Sequence, residues 1–366
     1  MKTYNNPDKT QWATLIQRPT IDKAALTKTV QVIMDEVKQN GDEALKEYSR
    51  RFDGVDLTTL SVSPKAIDLA ISQVPQNLKE AIQVAYNNIT KFHKAQNTTE
   101  AVIETTAGVR CWRKLVAIEK VGLYIPGGTA PLFSTILMLG IPAQIAGCQE
   151  RILCTPPNKN GQVNPAILYT AQLVGITKIY KVGGAQAIAA MAYGTASIPQ
   201  MYKLFGPGNQ YVTKAKELVQ QDGITIDMPA GPSEVLVIAD DTCCPNFVAA
   251  DLLSQAEHGA DSQVILLSDN PATVEQCLAE VERQVAQLPR KNIALQALTN
   301  SKAIVLENIE SCLTFSNRYA PEHLIIASEN ARQYIAGITN AGSVFLGNYS
   351  CESAGDYASG TNHTLP

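Results

Sequence analysis

Histidine is scarce in this chain: four in 366 residues, at positions 93, 258, 323 and 363. The last three stand among acids, amides and glycines in the second half, and those segments hold the candidate chemistry. Gln255 and His258 fall in D-L-L-S-Q-A-E-H-G. A spacing of three puts both on one face of a helix, with Gly259 to end it. Imidazole nitrogen suits zinc, and an amide oxygen is a less common ligand. A histidine favoured by the helix C-terminus is the plainer account. Glu322 and His323 are adjacent in Y-A-P-E-H-L, just before a strand, where alternation turns two neighbouring side chains apart. Such a pair suits two separate proton transfers, with histidine as acid/base and glutamate as activator of water. A polar start to a strand is the alternative. Asp356 and His363 lie in G-D-Y-A-S-G-T-N-H, where Asp356 offers a hard oxygen ligand and His363 a polar contact. The same stretch also reads as an ordinary surface loop. His93, in K-F-H-K, reads as solvated or capping a helix dipole.

These segments need elements to position them. Ile21 to Phe52 carries a helical period interrupted at Asn40-Gly41, and Pro64 to Ala95 another, broken at Pro75. The pattern changes near Arg113. Strands are expected at 115–118, 121–124, 151–154, 179–182 and 202–205, with helices at 132–146, 166–173, 185–193 and from 210 to about 219. After a Pro/Gly-rich crossing at 226–233, strands are expected at 235–239, 264–268, 304–306, 324–327 and 343–346. Helices are expected at 246–258 and 272–288. Alternation at these lengths predicts α/β architecture: two doubly wound, Rossmann-like but incomplete parallel-sheet domains plus N-terminal helices. The expected layout is a segment 1–20, a discontinuous domain of 21–125 with 233–366 bearing the candidate site, and a second domain at 126–232. Three glycine-rich turns follow strands: Ile125-Pro126-Gly127-Gly128, Val182-Gly183-Gly184-Ala185-Gln186 and Phe205-Gly206-Pro207-Gly208-Asn209. Glycines let backbone approach a ligand, and helix N-termini favour phosphate. No G-x-G-x-x-G or G-x-x-x-x-G-K-[ST] fingerprint is present, so each turn taken alone is a plain strand-to-helix connection.

The balance of residues is that of a soluble globular protein, 45% apolar and 17% charged, with net charge −4 and no basic block. Nucleic acid is excluded as a partner on that ground. The polar N-terminus lacks a signal-peptide core, and no apolar run is long enough to span a membrane. Eight cysteines without a C-x-x-C pair read as reduced thiols of a cytoplasmic protein.

The segments V-G-L-Y-I-P-G-G-T-A-P-L-F-S-T, V-G-G-A-Q-A-I-A-A, F-G-P-G-N, I-D-M-P-A-G-P-S-E, L-L-S-Q-A-E-H-G, P-E-H-L and S-A-G-D-Y-A-S-G-T-N-H together resemble the histidinol dehydrogenase family over essentially the whole chain. The resemblance implies oxidation of L-histidinol to L-histidine through the aldehyde, with reduction of two NAD⁺, one zinc ion per site and a homodimer. It implies Gln255, His258 and Asp356 as zinc ligands, with Glu322 and His323 as the acid/base pair. It further implies Tyr124, Gln186 and Asn209 at NAD. Ser233, Gln255, His258, His323, Asp356 and His363 are implied at the substrate. Members of the family continue past the equivalent of Thr364-Leu365-Pro366, and that tail carries a further zinc-ligand histidine and a substrate-contacting glutamate that reach the partner's site. Weak zinc binding, low turnover and a less stable dimer are therefore expected of the chain as given. Two other classes fit the residues alone: a zinc hydrolase using Glu322 on a metal-bound water, and a small-molecule binding protein without turnover.

Overall fold

The computed structural model describes residues 1–18, 23–98, 100–127, 131–229, 233–355 and 359–362. The chain forms two compact units, Met1–Ile21 with Gly231–Ala354, and Asp22–Ala230 with Gly355–Leu365. In chain order the strands are β1 (Lys2–Asn5), β2 (Ile103–Thr106), β3 (Val109–Cys111), β4 (Lys120–Tyr124), β5 (Glu150–Thr155), β6 (Lys178–Lys181) and β7 (Lys203–Phe205). There follow β8 (Thr225–Ile226), β9 (Glu234–Ala239), β10 (Gln263–Ser268), β11 (Lys302–Val305), β12 (His323–Ala327) and β13 (Ser343–Leu346).

In the first unit the sheet order is β1-β11-β10-β9-β12-β13, with all neighbours parallel. β9 (E-V-L-V-I-A) and β10 (Q-V-I-L-L-S) are buried end to end, as parallel strands covered on both faces are. Pleating sorts their side chains into two layers. Val235, Val237, Ile325 and Ala327 join the core that includes Val248 and Leu252 of helix Pro245–Ala256. Leu236, Ile238, Leu324 and Ile326 meet Trp12, Phe315 and Tyr319 in the other layer, where helix Ile309–Tyr319 packs. His323 shares the parity of Ile325, so its ring faces the layer of helix Pro245–Ala256.

In the second unit the order is β6-β5-β4-β7-β8, again all parallel. Tyr124, Cys154 and Leu204 pack in one layer with Val30 and Met34 of helix Lys23–Asn40 and with helices Gly184–Tyr193 and Gln210–Gln221. Leu123, Leu153 and Ile179 pack in the other with Ile67 of Pro64–Gln73, Ile82 and Ile89 of Gln76–Lys94, and helix Phe133–Ala146.

The two doubly wound parallel sheets expected from alternation are present. The domain limits differ. The helices of residues 23–94 cover both faces of the second sheet instead of joining the C-terminal unit, because their apolar stripes fill the layers that β4, β5 and β6 leave open. Residues 1–18 are not a separate segment either. β1 adds an edge strand to the first sheet, and Trp12 is buried in that unit's core. The strand expected at 115–118 is absent: that stretch is irregular, with Leu115 and Val116 exposed. Just before it, β2 and β3 form an antiparallel hairpin whose every residue is exposed. Val102, Ile103, Val109 and Trp112 also stand in solvent along this arm.

Candidate functional site

Helix Pro245–Ala256 starts past the carboxyl end of β9 and runs back, so Gln255 arrives at the amino edge of the sheet. β9 begins at that edge with Glu234, and β12 begins there with His323. The residue before β9, Ser233, accepts from the Gln263 N–H through its carbonyl, at 3.3 Å.

One peptide residue braces the candidate pair, Glu322 and His323. β9 and β12 are parallel neighbours, with His323 opposite Val235. The backbone N–H of Glu234 donates to Glu322 Oε2 at 3.2 Å. The carbonyl of Glu234 lies 3.0 Å from His323 Nδ1. A carbonyl only accepts, so Nδ1 carries the proton and the lone pair of the neutral ring sits on Nε2. The 3.4 Å approach of Gln255 Nε2 to Nδ1 then sets two donors face to face and is not a hydrogen bond. Glu322 Oε2 lies 3.7 Å from Nδ1, and Glu352 Oε1 lies 3.9 Å from Nε2. A carboxylate thus stands on either side of the ring. His323 is 2% exposed, while the Glu322 side chain is partly open to solvent.

Gln255, 1% exposed, donates from Nε2 to Glu352 Oε2. Its Oε1 is buried and has no hydrogen-bond partner among the described residues. A buried amide oxygen left unmatched is costly unless something else engages it. One helical turn earlier, burial aided by the charge of Glu352 pushes the Asp251 carboxyl up to about 7. The helix ends at Ala256, with Glu257 as a right-handed C-cap. His258 is exposed in the following turn, its N–H donating to the Gln255 carbonyl at 3.2 Å. Gly259 does not take the left-handed conformation expected of a capping glycine. Among the described residues, no group of three or more His, Cys, Asp or Glu is gathered as a metal ion needs. Asp356 and His363 lie outside the described residues.

Behind the pair, Arg18 ties the loop to the strand. Its guanidinium pairs with Glu234 through both carboxylate oxygens. It also donates to the carbonyls of Tyr319 at 2.9 Å and Ala320 at 3.1 Å. Ala320 is left-handed at φ 54°, a conformation costing on the order of 1–3 kcal/mol for a residue with a Cβ. Arg18 and the following Pro321 hold that turn, which delivers Glu322 to the edge.

The second sheet offers a different rim. Tyr124, the N-terminus of helix Gly184–Tyr193 and the Gly206–Asn209 turn all stand at its carboxyl ends. Tyr124 and Gln186 are buried, and Asn209 is exposed. The Tyr124 hydroxyl accepts from the Gly184 N–H at 3.0 Å, and burial raises its pKa to about 12, so it stays a neutral phenol. Asn209 caps its own helix, accepting from the N–H groups of Tyr211 and Val212. The glycines serve packing more than ligand approach. A Cβ on Gly127 or Gly183 would collide with Pro156, and one on Gly208 with Val212. His93 sits apart from these groups, its Nε2 3.1 Å from the Asn362 amide nitrogen.

The pattern of the histidinol dehydrogenase family matches residues 16–366. Histidinol dehydrogenase of Bacteroides thetaiotaomicron is 55% identical over 366 residues, covering 100% of this chain and 86% of its own length. A crystal structure of histidinol dehydrogenase from Elizabethkingia anophelis is 60% identical with TM-score 0.97, covering 100% of this chain and 84% of that one. The chain belongs to the histidinol dehydrogenase family. An acetylating aldehyde dehydrogenase from Geobacillus thermoglucosidasius, 12% identical with TM-score 0.50, shares the fold alone.

The family reading from the sequence therefore stands: an NAD-dependent oxidoreductase that oxidises histidinol in histidine biosynthesis. The hydrolase and binding-protein alternatives are set aside. Sequence reasoning did not single out Glu352, Asp251, Glu234 and Arg18, which stand around the candidate residues. Two signals were available. Asp251 is four residues before Gln255 on a helix, and Glu352 is a lone acid among small residues four before Asp356. Nothing in the sequence marks Arg18 or the Glu234 peptide, which act through the tertiary pairing of β9 with β12.

Proposed function

We propose that the amino edge of the first sheet is the histidinol-oxidising centre, with His323 as its proton acceptor and Glu322 as its activator of water. The observation that carries this is the bracing of both residues by the Glu234 peptide, which leaves the His323 lone pair on Nε2. Oxidation of the alcohol removes a hydride from carbon and a proton from oxygen. His323 Nε2 takes that proton. The aldehyde then needs water. Glu322 takes a proton from it as the oxygen adds to the carbonyl carbon, and the imidazolium of His323 returns its proton to the carbonyl oxygen; the hydrate then loses a second hydride, and the neutral His323 takes a hydroxyl proton. NAD⁺, when bound, accepts one hydride in each oxidation, so two are reduced per histidinol. Tyr124, Gln186 and Asn209 are the residues we assign to it, and Ser233 and His363 to the substrate.

Zinc fits the donor set in one observed respect, the unmatched buried Oε1 of Gln255. Gln255, His258 and Asp356 would hold the ion. When bound, it supplies a Lewis acid that anchors and polarises substrate. Glu352 fixes which atom of the Gln255 amide faces a metal, since it occupies the nitrogen. We also read the enzyme as a homodimer. A two-stranded hairpin is marginal alone in water, and this one carries exposed Ile103, Val109 and Trp112. Its eight free thiols suit the cytoplasm, and no helix among the described residues is long and apolar enough to cross a membrane.

Three measurements test these assignments. Glu322→Gln blocks the water step but not the alcohol step, so NADH formed per histidinol consumed falls from two toward one, with aldehyde trapped chemically; an unchanged ratio refutes the role. Glu352→Ala releases the Gln255 amide, and zinc affinity measured against a competing chelator falls roughly 10–100-fold; unaltered affinity removes Glu352 from the metal's support. Trp112→Ser shifts sedimentation toward the monomer, whereas an unchanged profile means that the arm is not the dimer contact.

A further inference from the structure

In the second sheet, β4 and β7 are neighbours, but β4 pairs onward with β5 and β7 with β8. Strand order therefore reverses between β4 and β7, and ligands of open parallel sheets sit beyond the carboxyl ends at such a point. The turn Gly206-Pro207-Gly208-Asn209 borders this position. Gly206 has φ +137°, and a Cβ there would stand 2.1 Å from the Tyr124 carbonyl oxygen. The turn thus presses directly on the end of β4, and Pro207 has no N–H with which to anchor it.

Two buried charges fix it from beneath. Lys216, 2% exposed on helix Gln210–Gln221, donates from Nζ to the Gly206 carbonyl at 2.9 Å. Asp227, just past β8, accepts from the Gly206 N–H through Oδ2 at 2.8 Å. Lys216 and Asp227 are also ion-paired with each other. Both main-chain polar groups of Gly206 are therefore gripped by the two halves of one ion pair. A buried ion pair is an inefficient stabiliser, since apolar replacements of like volume are often neutral or better. Burial raises the Asp227 carboxyl pKa even with the Lys216 ammonium beside it, so that desolvation outweighs the pairing. What the pair provides and an apolar pair does not is direction: one donor and one acceptor aimed at a single glycine.

We propose that Lys216 and Asp227 are positioning residues for the nucleotide, holding the Gly206–Asn209 turn where Asn209 and the end of β4 meet NAD⁺. This rests on the assignment of that rim to NAD made above. Neither residue touches the nucleotide in this scheme, and both act through Gly206.

The test uses the full chain and NAD⁺ as the probe. In the parent, NAD⁺ slows amide exchange across residues 206–212, and calorimetry gives a Kd. The double variant Lys216→Met/Asp227→Asn keeps side-chain size and removes both charges together. It is expected to melt above either single variant and close to the parent, yet to bind NAD⁺ roughly 10-fold more weakly, as when a supporting contact is lost. Its zinc affinity, assigned to Gln255, His258 and Asp356, should not move. A folded double variant with the parent's NAD⁺ Kd overturns the proposal and leaves the pair a purely structural one. If the double variant does not fold, Lys216→Met/Asp227→Leu, a second uncharged pair, carries the same test, because it too removes both holds on Gly206. An unchanged Kd there is equally fatal. A parent chain whose exchange at 206–212 ignores NAD⁺ overturns the rim assignment, and the positioning role falls with it.

Discussion

The proposed catalytic pair, Glu322 and His323, depends on the hydrogen-bonding geometry of one residue's backbone. Glu234 offers its N–H to Glu322 and its carbonyl to His323, and it can do both because β9 and β12 are adjacent, parallel and in register. A one-residue slip would turn His323 into the opposite layer. That register is held by strands buried on both faces, so the core's packing energy, rather than any local feature of the site, fixes the tautomer of the imidazole. Main-chain atoms in a sheet centre are among the least mobile of a protein, which makes the carbonyl of Glu234 a stiffer orienting group than a side-chain carboxylate. Arg18 adds to this from behind. It pairs with the Glu234 side chain and holds the left-handed turn at Ala320 that brings Glu322 forward.

The two sheets share an order, with the central strands of the first arranged as in the second, but they use opposite edges. In the second, the candidate nucleotide rim stands at the carboxyl ends, as is general for open parallel sheets. In the first, the candidate chemistry is gathered at the amino ends. The carboxyl end of β9 is already filled by its own polar network: Asp240 accepts from Thr242 and from Ser328, across β9 and β12. At the amino edge the buried Gln255 Oε1 has no partner among the described residues, and at the carboxyl end the same holds for Oδ1 of Asn348, whose amide nitrogen donates to the Thr242 carbonyl at 3.0 Å.

Much of this was legible in the sequence. Alternating strands and helices announced both sheets, and the E-H dipeptide at the entry to β12 pointed to the pair proposed for proton transfer. Alternation predicts that the dipeptide's two side chains diverge, but Glu322 precedes β12 and its Oε2 comes within 3.7 Å of His323 Nδ1. Other features were hidden for physical reasons. Helices 23–94 carry amphipathic stripes, but a stripe does not say which sheet it will cover. Glycines 127, 183 and 208 looked like ligand-approach positions, yet their missing Cβ atoms make room for Pro156 and Val212. Gln255 and His258 were read as one helical face, but the helix ends at Ala256 and leaves His258 exposed. Backbone donors such as the Glu234 peptide have no sequence signature at all. Neither do long-range partners such as Arg18 and Glu352.

The most direct test of this account is the tautomer of His323. Nitrogen-15 NMR of histidine-labelled protein, assigned by comparison with His323→Asn, reads the protonation of each ring nitrogen. With the Glu234 carbonyl as acceptor, the neutral ring must carry its proton on Nδ1 and show a bare Nε2. A neutral ring protonated on Nε2 would contradict the account, since the nitrogen assigned to take the substrate's proton would already hold one.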